Sequence, residues 1–196
     1  MGILDSLLNR ATYSAKNALK KKANQAVSKA LSKSETFTFA ALPATVDELK
    51  ALPEAKLETP YQAAALTVLA LCVYTKDSET GTAMLNFLKG PRPLVPREIQ
   101  FINDRLMDEK TYIPFSYFKG ATPDNDYTPS DPLTITVSSN LHSFKDDNYA
   151  TLYIESGGAD SPRALTLRAK GGKTWYLWEQ ILLLDIRKPK SQDAWA

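Results

Sequence analysis

The longest apolar stretch of the chain is the run AAALTVLALCVY, from Ala63 to Tyr74. It lies within ETPYQAAALTVLALCVYTKD, which is typical of a helix with apolar side chains on nearly every side. The run is far shorter than the roughly 20 residues that a membrane-spanning helix needs. We therefore predict a buried core helix at the centre of the fold.

Further helical signals surround this run in the first half of the chain. ETFTF, residues 35–39, alternates like a short strand, and TVDELKAL begins with a capping box formed by Thr45 and Glu48. Two more helices are predicted, one in TGTAMLNFLKG, closed by Gly90, and one in PREIQFINDRLMDE, opened by Pro96. The first half is thus predicted to be mainly helical.

The second half shows the two-residue period of strands. PLTITVSS and NYATLYIES are predicted strands, RALTLRAKGGKTWYLWEQ is a predicted hairpin, and ILLLDIRKP is expected to extend or close the sheet. Helices followed by strands predict an α+β fold, in which a helical layer packs on a C-terminal antiparallel sheet of about four to five strands. The alternative is a cone-like fold similar to relatives of nuclear transport factor 2, in which a curved sheet holds helices in its concavity.

The hairpin predicts particular cross-strand neighbours. If residues 171–172, both glycine, form a two-residue turn, Leu165 lies opposite Trp178 on one face. Arg168 then lies opposite Trp175 on the outer face, where a guanidinium and an indole ring can form a cation–π pair.

The first 34 residues differ in composition from the rest. They carry seven basic residues against Asp5 alone, a charge of +6, which leaves −4 for residues 35–196 out of the net +2. Their amphipathic, Ala-rich pattern predicts a long basic helix, separate from a single α+β domain formed by residues 35–196. The candidate contact residues of this helix are Ile3, Leu4, Leu7, Leu8, Lys20, Lys21 and Lys22.

Three interpretations of this helix remain open. As a peripheral membrane helix, it would bury its leucines while its lysines lie among anionic headgroups. As a partner helix, it would bind another protein, form a homo-oligomer or dock on the acidic body of its own chain. The third interpretation is a solvated extension. A specific nucleic-acid partner is not expected, because cations without interleaved aromatic residues provide only salt-sensitive, non-specific binding.

Catalytic and metal-binding signals are sparse. Cys72 is the only cysteine and His142 is the only histidine, so one chain can form neither a disulfide nor a histidine–cysteine zinc site. Cys72 lies on the apolar helix and is expected to pack as a small hydrophobic residue rather than pair with His142 in catalysis. No cofactor, metal site or catalytic residue is predicted.

Two loops rich in Pro, Gly, Asn and Asp flank the predicted sheet, FKGATPDNDYTPSDP and SGGADSPR. Their structural interpretation is a series of turns in which Asn125 and Asp160 bind backbone donors. Their functional interpretation is a rim that binds an anionic or polar ligand together with the outer face of the sheet. The candidate ligand-binding residues are Asn125, Tyr127, Asp160, Ser161, Arg163, Arg168 and Trp175.

The same segments carry a resemblance to a known family. LKGPRPL, SYFKGATPDNDYTP, SGGADSPR and LRAKGGKTWYLWEQILLLDIRKPKSQDAWA resemble an uncharacterised bacterial family of small proteins, one of the domains of unknown function, over residues 35–196. The resemblance implies no activity. It implies a bacterial, Gram-positive source and a location in the cytoplasm, including the inner face of the membrane.

Two hypotheses of function follow. The first is a non-catalytic binding or adaptor module that recognises a ligand through the loop rim and the aromatic sheet face, and a membrane surface or partner through the N-terminal helix. The second is an enzyme whose loop carboxylates act with Tyr or Arg on a small polar substrate. An enzyme needs Asp124, Asp126 or Asp160 to converge in a closed cleft, whereas an open patch favours the binding module.

Overall fold

A buried helix lies against one face of a five-stranded antiparallel sheet in the computed structural model, which describes residues 32–195. This arrangement confirms the predicted α+β class. The α-helices of the described residues are α1 (Val46–Ala51), α2 (Pro60–Tyr74), α3 (Ser78–Lys89) and α4 (Pro96–Leu106). The strands are β1 (Ser34–Phe39), β2 (Leu133–Ser138), β3 (Tyr149–Ile154), β4 (Arg163–Lys170) and β5 (Thr174–Gln180).

The predicted N-terminal basic helix lies outside the described residues, and with it all seven of its candidate contact residues. The division of the chain at residue 34 and the cone-like alternative stay predictions. Within residues 32–195, no helix combines the length and the apolar composition that crossing a membrane requires.

The central helix α2 begins at a cap that the sequence supplies. Thr59 Oγ1 accepts a hydrogen bond of 3.3 Å from the backbone N–H of Gln62, and Gln62 Oε1 accepts one of 3.1 Å from the N–H of Thr59. Pro60 occupies the first turn, where its missing N–H costs no hydrogen bond. Every residue of α2 except Gln62 is buried, and the helix packs against β2 to β5. The prediction of a central core helix is confirmed.

The shorter helices also begin and end at local signals. Thr45 Oγ1 caps α1 by accepting a hydrogen bond of 3.2 Å from the N–H of Glu48. Asp77 Oδ1 accepts hydrogen bonds of 3.0 and 3.1 Å from two N–H groups in the first turn of α3, so this helix begins two residues before the predicted stretch. Gly90 ends α3 and Pro96 begins α4, as predicted.

The five strands pair in chain order, β1-β2-β3-β4-β5. We call the end at which β1, β3 and β5 begin the hairpin end of the sheet, and the opposite end the loop end. Side chains alternate between the two faces of each strand, and those on the inner face form the core with the helices. Fully or almost fully buried members of this inner face are Ile135, Val137, Leu152, Leu165, Leu167 and Leu177.

The predicted register of the β4–β5 hairpin is wrong by one residue. Its connection contains three residues, 171–173, so Arg168 lies opposite Tyr176 instead of Trp175. The first two residues of this loop are glycines with φ values of +62° and +67°, a conformation that glycine adopts without strain. Further along β5 the ladder shifts again, and Trp178 is the extra residue of a β-bulge.

The prediction that ILLLDIRKP extends the sheet is also wrong. Residues 181–189 leave β5 without forming a strand and cross the loop end. Leu182 and Leu183 are both buried, and the Tyr117 hydroxyl donates a hydrogen bond to the carbonyl of Leu182. A strand directs consecutive side chains to opposite faces, so two consecutive buried leucines favour the irregular path that the structure shows.

Candidate functional site

The outer face of the sheet carries a hollow of about 520 Å³ near the hairpin end. The ladder places Tyr149, Arg168 and Tyr176 side by side on neighbouring strands, on the face opposite the buried leucines. The segment after α3 runs beside the edge strand β5 and contributes Arg92 to the same hollow. Trp178 completes it, because it follows Tyr176 by two residues and so lies on the same face, where it meets the ring of Tyr149 edge to face.

Two guanidinium groups lie against the ring of Trp178. The Cζ atom of Arg92 is 4.4 Å from the ring centroid, and the Cζ atom of Arg168 is 4.6 Å from the same centroid. Arg168 also lies 5.3 Å from the ring of Tyr149, which meets Trp178 edge to face with 5.8 Å between centroids. We call Arg92, Trp178 and Arg168 the Arg–Trp–Arg cluster. Its aromatic contacts hold both cations in defined positions.

Arg92 and Arg168 make no direct contact with a carboxylate of the described residues. Within residues 32–195, neither guanidinium forms an ion pair or a hydrogen bond to a carboxylate. Lys89 and Lys170 also line the hollow, and Asp147 is the one carboxylate among the described residues of its lining. Both arginines are exposed, so their N–H groups remain available to an anion from solution.

A buried ion pair fixes the segment that carries Arg92. Lys89 Nζ lies 2.8 Å from Glu98 Oε1 and donates a second hydrogen bond, of 3.3 Å, to the carbonyl of Trp178. The side chain of Lys89 is only 3% exposed. Within the segment, Asn86 Oδ1 accepts a hydrogen bond of 2.8 Å from the N–H of Leu94. The end of α3, the start of α4 and the bulge of β5 are therefore tied together beneath the cluster.

The same contacts set the ionisation of Glu98. Burial by itself would raise the pKa of this carboxyl. The hydrogen bond and charge of Lys89, the N–H of Val95 and the charge of Arg92 act in the opposite direction and outweigh burial, so the pKa lies below its ordinary value of 4.5. Glu98 is thus ionised at neutral pH and compensates the buried charge of Lys89.

Two of the predicted ligand-binding residues, Arg168 and Trp175, lie near the hairpin end, but on opposite faces of the sheet. Arg168 belongs to the cluster, but its indole partner is Trp178 and not Trp175. Trp175 packs partly buried against the core, and its backbone N–H donates a hydrogen bond of 2.8 Å to the carbonyl of Leu57. The one-residue shift of the hairpin is the reason, because it exchanges the faces that the side chains of β5 occupy.

The other five predicted residues lie at the loop end, away from the cluster. Asn125 holds its own loop, accepting a hydrogen bond from the N–H of Thr122 and donating two to backbone carbonyls. Tyr127 is buried, with its ring stacked on Tyr112 at 5.2 Å between centroids. Burial, together with Tyr112, raises the pKa of Tyr127 to about 12. The expectation that Tyr127 lines an exposed rim is therefore wrong.

Arg163 and Ser161 connect the segment that follows β5, residues 181–192, to the sheet. We call these residues the C-terminal segment. The guanidinium of Arg163 donates hydrogen bonds of 2.9 Å to the carbonyl of Leu184 and 2.7 Å to that of Asp185. It also binds the carbonyl and the hydroxyl of Ser161. Because its N–H groups already have partners within the protein, Arg163 has a structural role here.

The three loop carboxylates each contact a different residue of this C-terminal segment. Asp160 forms an ion pair of 2.5 Å with Arg187, Asp126 accepts a hydrogen bond of 2.5 Å from Ser191, and Asp124 pairs with Lys190. All three are exposed. They do not form the closed, convergent arrangement that the enzyme hypothesis requires.

The remaining chemically active side chains lie apart from one another. Cys72 is completely buried in α2, and burial raises the pKa of its thiol. His142 is exposed in the loop between β2 and β3. Within the described part of the chain, no group of three or more His, Cys, Asp or Glu side chains is placed to hold a metal ion.

Arg92, Tyr149 and Trp178 were not predicted as site residues. The spacing of aromatic residues in TWYLW could have drawn attention to β5, but the predicted two-residue turn assigned Trp178 to the inner face, and the three-residue connection places it on the outer face. Nor does GPRPL show that Arg92 lies over the sheet, because that position depends on the Lys89–Glu98 pair.

Comparison with known families gives one match. The family described as Domain of unknown function (DUF6935) matches residues 41–190. No curated protein and no solved structure matches the chain. The match confirms the predicted resemblance to a family of unknown function over residues 41–190, whereas the bacterial source stays a prediction.

Proposed function

The chain belongs to this family of unknown function, and we propose that it is a non-catalytic binding module whose Arg–Trp–Arg cluster captures an anionic ligand. The observation that carries the proposal is the position of two exposed, unpaired guanidinium groups, 4.4 and 4.6 Å from one indole ring. They line an open hollow of about 520 Å³. A small phosphate or carboxylate group is the ligand chemistry that this arrangement favours.

The physical reason is preorganisation. A guanidinium presents N–H donors in a planar fork that matches the oxygens of a phosphate or carboxylate. Stacking uses the face of that plane and leaves its N–H edges free. Because the aromatic contacts restrict the arginine side chains before binding, an anion meets a smaller entropic cost at this site than at two mobile arginines.

The arrangement of carboxylates supports binding rather than catalysis. Asp124, Asp126 and Asp160 lie at the loop end in three separate contacts, and Asp147 is the only acid among the described residues that line the hollow. An acid–base mechanism requires groups that converge on one reacting atom. The hollow offers cations and aromatic surface, which is suited to holding a ligand.

The N-terminal segment supplies the second part of the proposal. Its charge of +6 and its apolar tip, including Leu4 and Leu8, support attachment of the module to an anionic membrane surface or to a protein partner. Self-association through this segment is included among the partner roles. We propose a cytoplasmic protein that is peripheral at the inner face of the membrane.

Calorimetric titration of the full chain with pyrophosphate tests the anion site. Arg92→Gln and Arg168→Gln should each weaken binding by about tenfold or more, because each removes a charge-assisted contact. Arg105→Gln is the matched control, since Arg105 is also exposed and lies 5.3 Å from an aromatic ring, that of Phe101. Equal affinities in all three variants, or no binding by the unmodified chain, would overturn the proposal.

A further inference from the structure

The loop between β2 and β3 exposes two large apolar side chains. Leu141 is 51% exposed and Phe144 is 52% exposed, whereas Ser143 between them is buried. This order is the reverse of the usual one, in which the small polar residue faces water and the apolar residues face the core. The loop therefore presents apolar surface outward at the hairpin end of the sheet.

Hydrogen bonds hold the loop in this conformation. Ser143 Oγ accepts a hydrogen bond of 2.9 Å from the N–H of Asn140, and the carbonyl of Ser143 accepts one of 2.9 Å from the N–H of Thr151. Asn140 Oδ1 accepts a hydrogen bond of 2.8 Å from the N–H of His142. The buried serine thus anchors the loop, and its anchoring directs Leu141 and Phe144 into solvent.

Basic residues lie at the same end of the sheet as the two apolar side chains. Lys145 follows Phe144 directly, Lys170 ends β4 and Lys173 lies in the β4–β5 connection, all three exposed. Asp146 and Asp147 are the acids of this loop. Apolar side chains with nearby lysines are the composition of surfaces that lie at the boundary between headgroups and acyl chains.

The basic N-terminal segment leaves the domain at the same place. The N–H of Ser139, at the start of the loop, donates a hydrogen bond of 2.8 Å to the carbonyl of Lys33. The 31 residues that precede the described range carry six basic side chains and one acid, Asp5. The basic residues are Arg10, Lys16, Lys20, Lys21, Lys22 and Lys29.

We propose that the hairpin end of the sheet docks on an anionic lipid surface, with Leu141 and Phe144 inserted among the headgroups. Lys33, two residues after the N-terminal segment, lies beside this loop, so both contacts can reach one membrane, and two linked contacts bind more tightly than either alone. Lys145, Lys170 and Lys173 then face the anionic headgroups. The inference rests on the proposed membrane attachment of the N-terminal segment, and not on the Arg–Trp–Arg cluster.

Co-sedimentation of the full chain with vesicles tests this docking. The vesicles contain phosphatidylcholine alone or phosphatidylcholine with phosphatidylserine. The unmodified chain should bind the anionic vesicles, and the double variant Leu141→Ser, Phe144→Ser should bind them at least about tenfold more weakly. The control is Met107→Ser, which removes a side chain of similar exposure, 53%, from the segment after α4. It should bind like the unmodified chain.

Each other outcome has a distinct meaning. If the double variant binds anionic vesicles as tightly as the unmodified chain, the proposed role of the loop in docking is overturned, and the N-terminal segment alone is the anchor. If the unmodified chain binds neither vesicle, both the docking loop and the membrane role of the segment are overturned. Sedimentation without lipid gives a third result: a dimer that the double variant abolishes would assign Leu141 and Phe144 to a protein interface instead. The pyrophosphate titration reports on the anion site independently of all three.

Discussion

Lys89 and Glu98 form a buried ion pair between the last turn of α3 and the first turn of α4, with 2.8 Å between Nζ and Oε1. Lys89 also binds the carbonyl of Trp178, at the bulge of β5. The pair therefore lies beneath the cluster and joins the three elements that position it.

Replacing the buried lysine should destabilise the domain. Lys89→Met leaves the carboxylate of Glu98 without its cation, and we expect the free energy of unfolding to fall by about 3 kcal/mol. Lys110→Met is the control, because the ion pair of Lys110 with Asp108 is largely exposed and should contribute about 0.5 kcal/mol or less. Urea unfolding monitored by circular dichroism measures both. Equal losses would contradict the structural role given to Lys89.

The contribution of Glu98 should depend on pH in a defined direction. Its pKa is lower in the folded chain than its ordinary value of 4.5, so its stabilising effect is present above pH 4.5 and is lost as the pH falls through the folded-state pKa. The difference in unfolding free energy between the unmodified chain and Glu98→Gln should therefore be largest near neutral pH and shrink below pH 4.5. A difference that is independent of pH would disprove this assignment.

The position that follows the last residue of α3, Gly90, should tolerate no side chain. Gly90 has a φ of +59°, and a Cβ atom at this position would come within 2.4 Å of the ring of Tyr176. Gly90→Ala should therefore cost about 3 kcal/mol, from backbone strain and steric overlap together. Gly171 has a φ of +62° and nothing within 4 Å of such a Cβ, so Gly171→Ala should cost only about 1 kcal/mol. Thermal unfolding of both variants tests whether the contact with Tyr176 makes Gly90→Ala more destabilising than Gly171→Ala.

Arg163 should stabilise the C-terminal segment and should take no part in ligand binding. Arg163→Met removes its hydrogen bonds to the carbonyls of Leu184 and Asp185, and we expect a loss of about 2 kcal/mol with faster amide exchange in residues 181–189. Arg187→Gln breaks only an exposed ion pair with Asp160 and should leave stability unchanged. Weaker pyrophosphate binding by a well-folded Arg163→Met variant would show instead that the predicted rim has a direct role.

Features set by residues close in the chain were predictable from the sequence. The cap at Thr45, the apolar run of α2 and the glycine that ends α3 each act within a few residues, and each predicts its element correctly. The alternation of apolar and polar residues likewise identified the strands. These signals were sufficient for the α+β class because hydrophobic periodicity and capping are local properties.

Features set by distant contacts were not predictable in the same way. Tyr127 lies in a polar loop, and only its stacking on Tyr112 shows that it is buried. Trp178 faces outward because the β4–β5 connection has three residues instead of two, and a shift of one residue exchanges the two faces of a strand. Arg92 reaches the sheet through a loop held by Lys89 and Glu98, which are joined only in the folded chain. The cluster could therefore be found only in part, through Arg168.

Side-chain NMR of the full chain during titration with pyrophosphate tests the anion site most directly. The indole N–H signal of Trp178 and the guanidinium signals of Arg92 and Arg168 should shift together, with one dissociation constant. The signal of Trp195, which is 96% exposed and outside the hollow, should not move. Signals of the cluster that stay in place, while pyrophosphate binds elsewhere or not at all, would contradict an anion site at this cluster.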